Sequence, residues 1–454
     1  MHSRQPRVTD RATEVAAELE GPATDDAAIV EPGRTSALAA LRYRDFRLFW
    51  FGLLVSNTGT WMQMFGQGYL VVQLAIRDGA PQLAPLYLGL VGLARAIPGL
   101  TLGLFGGAVA DRTDRRRLLL VTQCSAATTA AILAGLTISG RITIVEILLL
   151  GALNSTIFAF DAPTRQSMVP RLVDERHLVS AIGLNSAAFN GPQIVGPVIG
   201  GLLYVPFGLG GLFVVNALSY LAVVTALLFM TPIPIDARSR DVSVLDSIRE
   251  GLGYVRRDVV VRWVVLLAAL AALFARPYLQ LLPAIAERTM HVGAVELSWM
   301  LGASGAGALI GAIATASLGE LRRRGALLLG AAFLMGGLIA LFAAQRTLVG
   351  ALPILAAAGA ATMVFMGMAN TLLQTRTPDH LIGRVMSVQT MVFLGLMPLG
   401  QLLLGTVGTL VGVDVAILAG GVAIAGVVAY AALRVRPLRE AVATARPARR
   451  IRAS

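Results

Sequence analysis

Apolar runs of about twenty residues, free of charge, recur along the whole chain, and a helix of that length spans the roughly 30 Å hydrocarbon core of a bilayer. They cover 48–76, 118–140, 178–235, 297–319, 325–345, 347–375, 385–413 and 415–433. The run 178–235 is long enough for two crossings, with a turn at Pro206 to Gly211 (PFGLGG). Three more carry one interior charge or are closely bounded by charges: 86–110 with Arg95, 142–162 between Glu146 and Asp161, and 263–286 with Arg276. The pattern predicts an all-α integral membrane protein with twelve transmembrane helices.

Composition removes several function classes. The chain is 56% hydrophobic and 14% charged, where soluble domains carry about 25% charged residues. All 38 of its Lys and Arg positions are arginine. Without lysine there is no GxxxxGK[ST] phosphate loop and no Schiff-base lysine, so the chain holds no phosphate-loop ATPase of its own. The single cysteine, Cys124, leaves no disulfide framework or cysteine metal site. His2, His177, His291 and His380 lie in tails or loops and form no metal cluster. No metal, cofactor or enzyme chemistry is expected. The formal charge of +12 would suit nucleic acid, but the arginines fall in short clusters between apolar runs, which is the pattern of membrane orientation.

The loops after crossings two, four, six, eight and ten hold eighteen arginines, and the opposite loops hold four: Arg77, Arg141, Arg288 and Arg346. The positive-inside rule then places the Arg-rich loops and both termini in the cytoplasm, with the chain in the cell membrane. Residues 1–40 are polar, carry both charge signs and lack a signal peptide's apolar segment, so they read as a disordered cytoplasmic tail. The longest loop, 231–262, divides the chain into helical bundles at 41–230 and 263–434, with a basic tail at 435–454. Inside it Leu245, Ile248, Leu252 and Val255 recur at helical spacing opposite Asp246, Arg249 and Arg256, and Ser243 with Asp246 resembles a capping box. An amphipathic helix on the cytoplasmic membrane surface is expected there. The halves also echo each other: QSMVP at Gln166–Pro170 and QTRTP at Gln374–Pro378 follow crossings four and ten, as in a parallel internal repeat.

The residues GGAVADRTDRRR, 106–117, resemble the loop signature G-x-x-x-D-R-x-G-R-R of the major facilitator superfamily through Gly107, Asp111, Arg112, Arg115 and Arg116. Asp114 stands where that signature has glycine, a substitution suited to a left-handed turn because Asp tolerates it. GPVIGG in crossing five, with Gly196, Pro197, Gly200 and Gly201, is similar to the end of the superfamily's antiporter motif. The stretches 161–173, 184–190 and 383–400, and the start of crossing one at 43–63, resemble the branch that holds the enterobactin exporter and macrolide-efflux proteins among drug:proton antiporters. The resemblance covers roughly 40–435 and implies two six-helix bundles working by alternating access, as a monomer.

In that architecture the loop after crossing two meets the start of crossing eleven. The partial positive charge of that helix N-terminus favours a carboxylate. Asp111 is therefore expected to latch onto the start of crossing eleven in the outward-open state, with Arg384 as partner, and Arg115 to pair with Asp161. Charges within a span cost at least about 2.5–3.5 kcal/mol on insertion scales and normally face a cavity or a partner. Crossings one, four, seven and ten line the family's cavity, which makes Arg276, followed by Pro277 and Gln280, the leading substrate contact. Arg95, in crossing two, is a weaker candidate. Gln63, Gln67, Asn154 and Asn370 are further candidates, although single polar residues in membrane helices also serve as interhelical hydrogen bonds. Met64, Phe158, Phe365 and Met368 suit a large, partly apolar ligand or plain packing. Small residues in crossing five (Gly191, Gly196, Gly200, Gly201) and crossing eight (Gly302, Ala303, Gly305, Gly307) fit a tight contact between the two. No carboxylate lies in the middle of crossing one, leaving Asp161 as the candidate group for proton coupling.

The resulting expectation is export of a hydrophobic or amphipathic small molecule, of drug, antibiotic or siderophore class, in exchange for protons. A metabolite importer of the same fold and a non-transporting signalling or assembly protein are the alternatives. GPVIGG speaks against the first and the intact Asp111–Arg116 loop against the second.

Overall fold

The computed structural model describes residues 36–231, 244–318 and 323–441, side chains at 104, 108, 111, 244–248 and 318 excepted. Among the described residues every regular element is helical. Among these residues, ten helical stretches are long and apolar enough to cross a membrane. Helix α1 (Arg44–Arg77, 34 residues) has the length as well, but Ser56, Thr60, Gln63 and Gln67 form a polar stripe along it. These positions are spaced three or four residues apart and so share one face.

Then come α2 (Ala84–Arg112), α3 (Arg115–Ile138) and α4 (Ile144–Met168). The element Leu178–Phe229 is one run of 52 residues broken at Gly208, whose φ of 62° and ψ of −174° lie in a region open essentially to glycine. Its legs are α5 (178–207) and α6 (209–229). The remaining helices are α7 (Val244–Arg257), α8 (Val259–Leu270), α9 (Tyr278–Arg288), α10 (Ala294–Leu318), α11 (Arg324–Ala343), α12 (Leu348–Arg376), α13 (Ile382–Val411) and α14 (Val413–Arg434).

The sharp turn between α2 and α3 has a local cause. The Asp114 carboxylate accepts from the backbone N–H groups of Arg116 (2.9 Å) and Arg117 (3.2 Å), capping α3. Such a cap stabilises a helix by about 1 kcal/mol. Asp114 is extended, at φ −63° and ψ 110°. The left-handed turn expected from the signature's glycine is therefore not formed, because the carboxylate caps the helix instead.

Helices α1 to α6 pack mainly on one another, and α8 to α14 do the same. The two sets meet where α2 lies on α13, α5 on α10, and α1 and α2 on α9. Helix starts and ends alternate, so each set has a linker end, near α7, and a far end.

The two ends of the α2–α13 contact differ. A methyl group added at Gly89 would meet the Gln401 carbonyl oxygen at 2.7 Å, and Gly405 abuts the Pro85 carbonyl. Gly107 is eighteen residues beyond Gly89 in sequence, five turns of about 3.6 residues, and so lies on the same face of α2. A methyl group added there, or at Gly103, would meet nothing within 4 Å among the described residues. The helices touch at the far end and part toward the linker end. Two more contacts seal the far end between α1 and α9: Tyr69 Oη donates to Glu287 Oε2 at 3.3 Å, and Gly68 leaves only 3.1 Å between an added methyl and Pro283.

Helix α7 lies against protein. Glu250 forms an ion pair with Arg384, Gly251 approaches the Arg384 carbonyl within 2.6 Å of an added methyl, and Tyr254 Oη donates to the Arg376 carbonyl at 3.0 Å. Val255 is buried. Part of the face expected to meet lipid is thus spent on the start of α13, since Gly251 lets the backbones approach. The side chains of Leu245 and Ile248, and the Ser243 cap, lie outside the described residues.

Candidate functional site

A cavity of about 380 Å³ lies midway along the helices, where the two sets meet. That is within the usual range for small-molecule sites, about 300–1,000 Å³. Trp61, Met64 and Gly68 of α1, Asn190, Gln193 and Pro197 of α5, Ser304 and Gly305 of α10, Thr362 and Met366 of α12, and Phe393 and Gln401 of α13 contribute to its wall. Arg276, Tyr278 and Gln280 complete it from the junction of α8 and α9. Among the described residues, Arg276 is the one charged residue lining the cavity.

The junction explains how that charge is presented. Residues Ala271–Ala275 form a π turn, in which the Arg276 N–H donates to the Ala271 carbonyl at 2.9 Å. Pro277 has no N–H to offer the Leu273 carbonyl four residues back. The freed carbonyl packs instead against Gly400 of α13. A π turn widens the helix locally and is frequent at functional sites. Here it brings Arg276 to the cavity wall with its Nε fully buried and without a hydrogen-bond partner.

Of the six residues expected in the cavity, Arg276 and Gln280 line it and four do not. Gln63 is buried, and its Oε1 accepts from Asn216 Nδ2 of α6 at 2.7 Å. Gln67 is buried, and its Oε1 accepts from the Arg95 guanidinium of α2. The polar stripe of α1 thus faces its own bundle. Asn154 sits on α4, which α2 covers: Gly151 lies 3.5 Å, methyl to side chain, from Arg95, and Ser155 Oγ donates to the Arg95 carbonyl at 2.5 Å. Asn370 is exposed on α12 away from the cavity. Met64 lines the wall, whereas Phe365 and Met368 are in the core and Phe158 is exposed.

The side chain of Asp111 lies outside the described residues. Around it, Arg112 is exposed, and Arg115 Nε donates to Ser167 Oγ of α4 at 2.9 Å. Arg116 donates to the Leu227 (2.6 Å) and Leu228 (2.9 Å) carbonyls at the end of α6, groups that a helix terminus leaves without partners. The ion pair of buried Asp161 is with Arg165, at 2.5 Å, and replaces the expected one with Arg115. Arg165 is one turn further along the same helix, where a pair meets without bridging elements. Thr122 Oγ1 (2.9 Å) and Gln123 Nε2 (2.7 Å) also donate to Asp161.

The α5 glycines divide between two neighbours. Gly196 and Gly200 face Trp61, Met62 and Phe65 of α1, while Gly201 faces Ser298 of α10. From α10, Gly302 meets Val198 and Gly305 meets Ile194, but Gly307 faces Ala356 of α12 and Gly191 has open space.

The sequence from residue 35 to 451 matches the transmembrane secretion effector family. The chain belongs to that family, within the major facilitator superfamily. This places it among multi-pass membrane transporters and not among enzymes. It is 32% identical to the staphyloferrin A transporter of Staphylococcus aureus over a segment covering 39% of this chain and 45% of that one, so the match spans under half of that relative. It is 27% identical to the multidrug efflux pump Tap of Mycolicibacterium fortuitum, covering 82% of this chain and 91% of Tap. A bacterial homologue of the human lysosomal transporter Spinster, solved in an inward-facing and unoccupied conformation, superposes with a TM-score of 0.65. The superposition covers 86% of this chain and 95% of that one at 14% identity, which speaks for the fold alone.

Several lining residues of this transmembrane secretion effector chain went unnoticed in the sequence. Gln401 caps the cavity toward the far end, with its carbonyl against Gly89 and its side chain against Gly92. Tyr278 and Ser304 share a hydrogen bond of 3.3 Å between α9 and α10. One glutamine or tyrosine in an apolar helix carries no mark of its neighbour. The proline after Arg276 is the one signal that could have pointed to the widened turn.

Proposed function

We propose that this chain is a secondary active exporter, carrying a hydrophobic or amphipathic small molecule out of the cell by alternating access in exchange for protons. Twelve crossings follow from counting the ten apolar stretches, the second leg made by the Gly208 break, and α1. The arginine bias assigns the linker end and both termini to the cytoplasm. Bundles 41–230 and 263–434 then flank the linker 231–262, with tails at 1–40 and 435–454, and one polypeptide makes the complete unit.

The observation that carries this reading is the cavity between two helix sets, which touch at the far end and part at the linker end. A carrier caught open to the cytoplasm has this shape. Gly107, in open space here, is where the latch loop would approach α13 once the linker end closes. Asp111 is assigned to that closure. Asp161 is assigned to the proton: it is a buried carboxylate where α3 and α4 meet, paired with Arg165 and accepting from Thr122 and Gln123. The names of the relatives support drug-like and siderophore substrates.

The test uses inverted membrane vesicles with a pH-sensitive dye, challenged with macrolides, tetracyclines, cationic dyes and catecholate siderophores. Loss of the proton gradient on adding one class, absent in Asp111→Asn vesicles, is the expected outcome. Silence across all four classes, or full activity in Asp111→Asn, overturns the reading.

A further inference from the structure

We infer that the molecule carried in this cavity is an amphipathic organic anion, whose charged group is bound by Arg276 and whose apolar body lies against the aromatic and methionine wall. This rests on the cavity being the transport site. An arginine keeps its charge in essentially any environment, and a charge taken out of water without a partner is strongly unfavourable. Arg95, the other arginine deep in a span, meets that requirement in part, through one hydrogen bond to the Gln67 side chain. Both guanidinium groups leave Nε buried without a partner, but among the described residues no side chain is hydrogen-bonded to Arg276 as Gln67 is to Arg95, and no aspartate or glutamate lines the cavity.

The nearby polar wall is neutral, supplied by Gln280, Tyr278 and Gln401. Tyr278 is already engaged with Ser304. An ammonium ligand would find no counter-charge and would be repelled by Arg276. A carboxylate or other oxyanion would meet a planar donor fork that suits it bidentately. The π turn is what holds that fork at the wall, and Pro277 is what makes the turn. Trp61, Phe65, Phe393, Met363 and Met397 provide the apolar surface for the rest of the molecule, and methionine adapts to irregular shapes.

The test is equilibrium binding to the purified full chain in detergent, using three matched probes: 2-naphthylacetate, 2-(2-naphthyl)ethanol and 2-(2-naphthyl)ethylamine. A charge-assisted hydrogen bond is worth enough to favour the anion over the alcohol by about tenfold or more, with the amine weakest. Arg276→Gln should equalise anion and alcohol, and Arg276→Lys, which retains the charge, should keep part of the preference. Equal binding of anion and alcohol by the native chain, including no binding of either, overturns the inference. So does a preference that survives Arg276→Gln. Failure of the export reading is separable: charge-selective binding with no movement of any ligand in the vesicle assay overturns export and leaves the anion site standing.

Discussion

Arg95 and Arg276 are the two arginines placed deep within spans, and the structure treats them differently. Arg95 lies inside the first helix set, donating to Gln67 of α1, flanked by Gly151 of α4, and with its own carbonyl accepting from Ser155. Arg276 lies where the two sets meet, on a helix opened by a π turn, beside a cavity. The first arginine is tied into a bundle's interior. The second is left for something that arrives from outside. In the sequence both are a single charge in an apolar run, so the difference between structure and function here is made entirely by what the neighbouring helices offer.

The strongest way to break that comparison is to remove each charge in turn. Arg95→Leu strands the buried Gln67 carbonyl oxygen, a loss of about 1–3 kcal/mol. It should lower the thermal unfolding midpoint while leaving the relative binding of the three naphthyl probes unchanged. Arg276→Leu should hold or raise the midpoint, because unlike Arg95 it leaves no hydrogen-bonded side chain stranded among the described residues, and should abolish the preference for the anion. Unfolding followed by size-exclusion chromatography in detergent reads the first quantity and probe fluorescence the second. Two variants that behave alike in both measurements would end the distinction.

A second pair of substitutions sharpens the contrast between the ends of α2. Gly89→Val pushes against the Gln401 backbone, whereas Gly107→Val enters open space. Cys124 is the chain's one cysteine, so a Cys124→Ser background carrying Met64→Cys reports on the cavity. With an impermeant maleimide outside whole cells, the reporter should stay protected in the parent and in Gly107→Val. It should be labelled when Gly89→Val is added. Protection in all three would mean that the far-end seal does not depend on the α2–α13 contact.

How much of this was legible beforehand follows from which physics acts locally. The apolar runs are read from length and polarity alone, and most of their described residues lie in helices here; the PFGLGG turn is read from its glycines, and Gly208 takes the strained backbone. The face of a helix that meets the cavity is not local. Gln63 and Gln67 read as cavity residues because α1 is a cavity helix in related folds, yet they lie on the side that Asn216 and Arg95 cover. Ion-pair choice is equally hidden: Asp161 can reach Arg165 within its own helix, and Arg384 meets Glu250 because Gly251 allows α7 to dock. Asp114 was within reach, since an aspartate two residues before a helix's first free N–H groups is a capping signal as well as a turn signal.

The smallest expected effect concerns Gln63. Its bond to Asn216 joins α1 to α6 inside one helix set, and such interhelical bonds in membranes average about 0.6 kcal/mol by double-mutant cycle. Gln63→Leu and Asn216→Leu should each cost more singly than their share in the double variant, because one change leaves a buried polar partner unmet and two leave none. Neither should alter binding of the naphthyl probes, since Gln63 is separated from the cavity by the body of α1. A coupling near zero together with a changed probe affinity in Gln63→Leu would instead place Gln63 at the ligand. That outcome would erase the division between an inward-tied polar stripe in the first helix set and a charge presented to the cavity where the sets meet.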